Sequence, residues 1–280
     1  MTTYLITGAA GLLGQLVIDH LAQRVAKDDI IALVRSDAQK AAFESKGIAT
    51  RYGDYDKPET LIEALQGVDR LLLISGSAIG ERVRQHGNVI KAAKQAGVGH
   101  IAYTSILRAD VSSMGLAVEH KATEEIIQAS GIAYALLRNG WYTENMVMGL
   151  EQDLEMGQHF GAAGMGQFST ASRNDYAEAA AIVLATDGHA GKTYELAGDT
   201  AFGWADYAAT VSKAKGTAVA FVNIPEETLK EALVGAGLPE GFAGLLADSD
   251  AKAAEGWLFD DSKTLSGLLG RDTATLASIL

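Results

Sequence analysis

The sequence has no cysteine among its 280 residues. That excludes disulfides, thiolate metal sites and a cysteine nucleophile, and it is compatible with a reducing cytoplasm. Prolines number only three, and no Pro/Gly/Ser-rich linker or internal repeat interrupts the chain. Positive charge is scarce: 23 Lys and Arg stand against 35 Asp and Glu, a net charge of −12, with no basic block. A phosphate backbone would be repelled over most of such a surface, so no nucleic-acid partner is expected. No apolar run reaches membrane-spanning length, since Gln15, Asp19 and His20 interrupt the first apolar helix. The N-terminus runs straight into a strand without the basic start and apolar run of a signal peptide. These absences lead to the expectation of a soluble, cytoplasmic protein with no membrane insertion. Apolar residues at 48% suffice for a substantial core, in one large domain or one domain with a smaller lobe.

What is present begins at residues 3–14, T-Y-L-I-T-G-A-A-G-L-L-G. An apolar strand runs into Gly8, then Gly11 and Gly14, and a helical pattern opens at Leu12. Gly8 permits a tight turn, Gly11 a close backbone approach to a pyrophosphate, and Gly14 close packing of the helix on the sheet. The N–H groups and the positive dipole end of that helix would face phosphates. The spacing is G-x-x-G-x-x-G. The alternative is a tight structural turn in any α/β protein, but the strand–turn–helix context favours a dinucleotide.

Strand and helix then alternate as far as residue 138, which predicts a doubly wound parallel sheet with its ligands at the carboxyl ends of the strands. The apolar strand 29–34 ends at Arg35, followed by Ser36 and Lys40. A guanidinium where an NAD-selective site carries Asp or Glu suits a 2′-phosphate, so NADPH is the expected cofactor and NADH the weaker one. The alternative is a solvated strand-end arginine. Asp54 and Tyr55 fall at the next strand end, where adenine rests; Asp54 accepts from the adenine amine or caps the following turn. Strands at 70–75 and 100–105 end in Ser75, Gly76, Ser77 and in Tyr103, Thr104, Ser105.

After residue 138 the alternation lapses. Residues 139–145 read as a loop entering a Met-rich helix (Met146, Met148, Met156), and 157–166 as a glycine-rich stretch. A helix begins at Arg173, a strand covers 193–197, and helix, strand (218–222) and helix follow. The reading is α/β, with a dinucleotide domain over 1–138 joined by 173–199. A smaller, interleaved C-terminal α+β lobe takes 139–172 and 200–280.

T-G-A-A-G-L-L-G at 7–14, Arg35, G-D-Y at 53–55, H-I-A-Y-T-S at 100–105, H-K-A-T-E at 120–124 and L-L-R-N-G-W-Y-T-E-N at 136–145 resemble the atypical short-chain dehydrogenases of the NmrA-like group. G-A-A-G at 161–164, Y-E-L-A-G-D at 194–199, L-A-D-S-D at 246–250 and F-D-D-S-K-T-L at 259–265 are similar to its quinone-reducing members, so the resemblance covers essentially the whole chain. It implies a Rossmann-like domain binding NADPH, a quinone held in the cleft between the lobes, and flavin-independent hydride transfer. Two alternatives are a non-catalytic NADP(H)-sensing regulator and a reductase of another planar acceptor, such as a triphenylmethane dye or an azo compound. The chain is also compatible with a homodimer.

On that resemblance Gly8, Ala10, Gly11, Leu12 and Leu13 line the pyrophosphate, mainly by backbone, and Arg35 takes the 2′-phosphate. Ser75, Gly76, Ser77, Tyr103, Thr104 and Ser105 border the ribose and nicotinamide. Asn139, Gly140, Trp141 and Tyr142 roof the nicotinamide, although the two aromatics alternatively pack between lobes. The Tyr-x-x-x-Lys pair of ordinary short-chain dehydrogenases is missing: Leu116 stands at the Tyr place and His120 at the Lys place. His120, Asn139 and Tyr142 are the catalytic candidates, His120 having the alternative of a helix-surface histidine. The remaining histidines, His86 and His100 included, lack metal-ligand spacing, so no metal is expected. A Ser–His–Asp hydrolase lacks its nucleophile elbow and is set aside.

Overall fold

The computed structural model describes residues 2–280. The first strand, β1 (Tyr4–Ile6), is buried throughout. It leads to α1 (Leu12–Leu21), whose Leu13, Val17, Ile18 and Leu21 recur at helical spacing and form its buried face. There follow β2 (Ile30–Val34), α2 (Asp37–Glu44), β3 (Ala49–Tyr52), α3 (Pro58–Ala64), β4 (Arg70–Leu73) and α4 (Arg82–Ala96). Next come β5 (His100–Ile106), α5 (Gly115–Ser130) and β6 (Ala133–Asn139). Local signals set the ends: the Ser36 side chain caps α2, Pro58 opens α3, and Gly97 closes α4 with φ of 78°.

The chain continues through α6 (Thr143–Met146), α7 (Leu150–Met156), β7 (Gln158–Gly161), α8 (Arg173–Ala185) and β8 (Lys192–Leu196). It ends with α9 (Trp204–Lys215), β9 (Ala220–Asn223), α10 (Glu226–Gly235), α11 (Glu240–Ala253), α12 (Thr264–Leu269) and α13 (Leu276–Ile279). The large sheet has the order β3-β2-β1-β4-β5-β6-β8. Its pairs from β3 to β6 are all parallel. This is the Rossmann-like, doubly wound α/β architecture, and its strand order reverses between β1 and β4, where such sheets bind ligands.

Two compact units emerge. The first takes the chain up to Ile106, Glu119–Asn139 and Arg173–Tyr194; the second takes Leu107–Val118, Gly140–Ser172 and Glu195–Leu280. The core of the first joins Leu5, Leu71, Leu73, Ile101, Tyr103 and Leu136 of the sheet to Leu61, Val89 and Ile127 of the helices. The second is built on a parallel pair, β7 with β9. Asp153 accepts from the Tyr207 hydroxyl at 2.9 Å and meets His159 Nδ1 at 3.0 Å, and Trp204 Nε1 donates to Asp250 at 2.6 Å.

One local reading gains detail and one is corrected. The glycine-rich stretch 157–166 contains β7, whose Gly161 leaves room for the Trp204 ring where a Cβ would stand 2.8 Å from it. The single Met-rich helix is two short helices, since the chain turns at 147–149 between α6 and α7.

Candidate functional site

The residues singled out by sequence in the first unit follow the carboxyl ends of β1, β2, β3 and β4 or lie towards the ends of β5 and β6, with His120 on α5. After β1, Gly8 adopts φ of +58°, a conformation that L side chains resist. Gly11 N–H donates to the Gly8 carbonyl at 2.9 Å and closes the turn. Gly11 then serves as the N-cap of α1, with no side-chain cap and no acidic residue in the first turn. The helix thus presents its positive end without an internal counter-charge. A Cβ on Gly14 would stand 2.7 Å from Ala9 Cα and press into the Gly8 carbonyl oxygen. Gly14 therefore lets the helix close on its own turn, a tighter constraint than packing on the sheet. Ala10 has its carbonyl oxygen bonded by Gln15 Nε2 at 3.1 Å, Leu13 is buried, and Leu12 is 67% exposed at the helix start.

Arg35 is exposed at the end of β2. Its N–H donates to Gln39 Oε1 at 2.8 Å, and its guanidinium makes no hydrogen bond or ion pair to another described residue. It borders a cavity of about 380 Å³ lined also by Ser36, Lys40, Thr50 and Tyr52. Asp54 follows β3. Its carboxylate accepts from Asp56 N–H at 3.0 Å and its own N–H donates to Thr60 Oγ1 at 3.0 Å, so its turn-forming role is in place. Tyr55 packs on the core, and burial pushes its hydroxyl up to about 12.

The turn after β4 is stitched to its neighbours. Ile74 N–H donates to Thr7 Oγ1 at 3.0 Å and Ser75 N–H to Thr104 Oγ1 at 2.8 Å, while Ser77 is exposed. On β5 the fully buried Tyr103 has its hydroxyl 2.8 Å from His120 Nδ1. His120 is 5% exposed, which overturns the surface-histidine alternative, whereas Lys121 beside it is exposed. Burial, with Arg82 nearby, pushes His120 down to about 3, so its ring is neutral near pH 7; burial raises the Tyr103 phenol.

Ser105 is committed elsewhere: its hydroxyl donates to Glu124 at 2.6 Å. Arg138 grips the same carboxylate through Nε at 2.9 Å and through a terminal nitrogen at 2.7 Å, all buried. Sequence reasoning did not single out this group; its one signal is a charge ending the apolar run of β6. Asn139, the last residue of β6, is 6% exposed, and its Oδ1 is buried without a hydrogen-bond partner. Such an atom is costly to leave unpaired and points to a donor from a ligand.

In the second unit Gly140 N–H donates to the Leu196 carbonyl at 2.7 Å. Trp141 and Tyr142 are half-buried, and Tyr142 bridges to Ala171.

The features of the first unit fit a phosphorylated dinucleotide. A left-handed glycine turn meets an uncapped helix start, an exposed guanidinium borders a cavity, and an orphaned carbonyl oxygen lies at the strand end beyond.

Comparison with known proteins agrees. A family model described as NAD(P)H-binding matches residues 8–187. Quinone oxidoreductase 2 of Escherichia coli strain K12 is 52% identical over 97% of this chain and 95% of its own. The NAD(P)H azoreductase of Xenophilus azovorans is 31% identical over 98% and 95%. Among solved structures, the Escherichia coli NADPH-dependent quinone oxidoreductase complexed with NADPH superposes with a TM-score of 0.97 at 51% identity, covering 99% of this chain and 98% of that one. The Citrobacter sp. triphenylmethane reductase complexed with NADP(H) gives 0.95 at 38%, covering 99% of each. The matched span opens at Gly8, the residue on which the turn after β1 depends, and the chain belongs to the NAD(P)H-binding, NmrA-like family.

Proposed function

We propose that this chain is an NADPH-dependent reductase that passes a hydride to a quinone without flavin. What carries the reading is the extent of the likeness to quinone oxidoreductase 2, which spans the second unit as fully as the dinucleotide half. In this reading the backbone of Gly8, Ala10, Gly11, Leu12 and Leu13 holds the pyrophosphate on the dipole end of α1. Arg35 takes the 2′-phosphate, with Lys40 as a second cation beside the cavity. Asp54 and Tyr55 flank the adenine. Ser75, Gly76, Ser77, Tyr103 and Thr104 border the ribose and nicotinamide, while Ser105, next to Thr104, is held by Glu124.

NADPH, when bound, supplies the hydride. The Asn139 side-chain oxygen accepts from the nicotinamide carboxamide and fixes the ring's orientation. His120, neutral and bonded to Tyr103, holds the wall behind the ribose and is not charged to act as an acid. Gly140, Trp141 and Tyr142 follow directly in the chain, and the two aromatics offer flat surfaces for a planar acceptor. A quinone is a strong hydride acceptor whose reduced oxygen takes a proton from water. Positioning by these residues supplies most of the rate enhancement.

The test mixes purified protein with NADPH or NADH and follows nicotinamide absorbance with and without a benzoquinone. The expected result is quinone-dependent oxidation, faster with NADPH, by protein without flavin absorbance. The azoreductase and triphenylmethane reductase relatives make an azo compound and a dye the comparison acceptors. Tight NADPH binding with no turnover on any of them would replace the enzyme with an NADP(H)-sensing regulator.

A further inference from the structure

The turn after β4 is held by side chains that the proposed reaction does not use. Gly76 donates its N–H to His86 Nε2 at 3.0 Å, and its carbonyl accepts from Arg82 Nε at 2.6 Å. Both backbone polar groups of one residue are therefore gripped from α4. His86 is 0% exposed, and its other ring nitrogen lies 3.0 Å from Thr123 Oγ1. That hydroxyl spends its own proton on the Glu119 carbonyl at 2.9 Å, so it accepts from Nδ1–H. The Gly76 N–H needs a bare Nε2. The two demands agree on one form of His86, the neutral Nδ1–H tautomer. Burial, with Arg82 nearby, pushes His86 down to about 4, in keeping with that form.

Glu119 closes the other end of the turn. Its carboxylate accepts from the N–H of Gly80 at 3.1 Å and of Arg82 at 3.2 Å, and it lies 3.7 Å from the Arg82 guanidinium. Water would satisfy a turn whose Gly76 is half-buried and whose Ser77 is exposed. A buried histidine and a largely buried arginine cost side-chain entropy to hold in place. Their use here answers a demand for position, not for saturation of hydrogen bonds.

We propose that His86 and Arg82 are positioning residues that preset the Gly76 backbone so that the Ser75–Ser77 turn is already shaped for the nicotinamide-ribose half of NADPH. The inference rests on the cofactor reading above. Its physical content is preorganisation: a turn fixed beforehand need not be ordered when the ligand arrives.

Two substitutions separate the bonds of the His86 ring. The amide of His86→Gln reaches as far as Nε2 and accepts from Gly76, whereas the shorter amide of His86→Asn stands near Nδ1 and serves only Thr123. NADPH affinity is read by nicotinamide fluorescence, and the turn itself by amide hydrogen exchange at residues 75–77 without cofactor. His86→Asn is expected to weaken NADPH binding about fivefold or more and to speed exchange, while His86→Gln stays within about twofold of the parent. Arg82→Met, which frees the Gly76 carbonyl, is expected to give the same loss. Equal NADPH affinity in the Asn and Gln variants, or unchanged affinity in Arg82→Met, would overturn the inference. Failure of the unaltered protein to bind NADPH would instead remove the cofactor reading, and unchanged exchange at 75–77 in His86→Asn would independently remove the clamp.

Discussion

Replacing Arg35 with aspartate tests the dinucleotide assignment at its most exposed point. The guanidinium makes no hydrogen bond or ion pair to a described residue, so the fold should change little. What is lost is a charge-assisted contact to the 2′-phosphate, worth about 1.5–3 kcal/mol in general and nearer the low end for an exposed group. What is gained is a carboxylate facing a phosphate of nearly two negative charges. At roughly 5 Å in a water-like dielectric that repulsion is about 1.5 kcal/mol. NADPH binding should therefore weaken by about 3 kcal/mol, or roughly a hundredfold, while NADH, which lacks that phosphate, changes less than about threefold. Arg35→Gln removes only the attraction and should cost about tenfold. The assay is fluorescence titration of both nucleotides at fixed low salt, repeated at high salt, where the repulsive part should shrink. Equal losses for NADPH and NADH would refute the reasoning and move the 2′-phosphate away from the end of β2.

Other outcomes follow from the same structure. Gly14→Ala should lower the melting temperature by about 5 °C or more through backbone overlap, and more than Gly11→Ala, whose Cβ would sit 3.2 Å from the Gly8 carbonyl; the reverse order in thermal melts would refute this. Arg138→Met should cost about 3–5 kcal/mol in denaturant unfolding by stranding the buried Glu124 carboxylate, and adding Glu124→Leu should recover much of that; simple additivity of the two single variants would show that the pair is not coupled. Stability should fall on acidification. The folded chain holds His86 near 4 and His120 near 3, whereas unfolding restores 6.5, so the unfolded state takes up protons first and the loss grows from about pH 6.5 down towards pH 4. His120→Asn should flatten that decline in melting temperature against pH; an unchanged slope would show that His120 does not carry it.

Much of the fold was legible because each signal was local. Apolar runs of three to seven residues separated by helices read as buried parallel strands, the polar and largely uncovered β3 excepted, and Gly8, Ser36, Pro58 and Gly97 mark turns and helix ends by backbone conformation or side-chain capping. The 157–166 stretch was not legible. Sequence reads it only as glycine-rich, whereas in the fold the Trp204 ring lies against Gly161, a contact between residues 43 apart in sequence. The candidate site divides in the same way. The conformations of Gly8, Gly11 and Gly14 in the turn after β1 could be anticipated from their spacing alone. The links of Gly76 to His86 and Arg82, of Tyr103 to His120 and of Ser105 to Glu124 depend on how α4 and α5 pack on the sheet. No spacing in the chain encodes that packing.

That division bears on how strand-end polar residues should be interpreted. Sequence places Thr104 and Ser105 beside the ribose and nicotinamide and Asn139 over the nicotinamide, each as a polar group facing the ligand. The fold separates them. Thr104 Oγ1 accepts from the Ser75 backbone and Ser105 is spent on Glu124, so both satisfy the protein itself. Asn139 Oδ1 is buried as deeply and satisfies nothing, and the Arg35 guanidinium is exposed and equally uncommitted. Leaving a buried acceptor unpaired is a standing cost of about 1–3 kcal/mol that burial of a serine or threonine with its partner avoids. At this edge the fold leaves the Asn139 oxygen unpaired, and with it the buried Tyr55 hydroxyl, and an acceptor in that state suits a donor from outside. Groups that the fold leaves without a hydrogen-bond partner are the ones to substitute first, and changes at Asn139 and Arg35 should alter binding with little effect on folding.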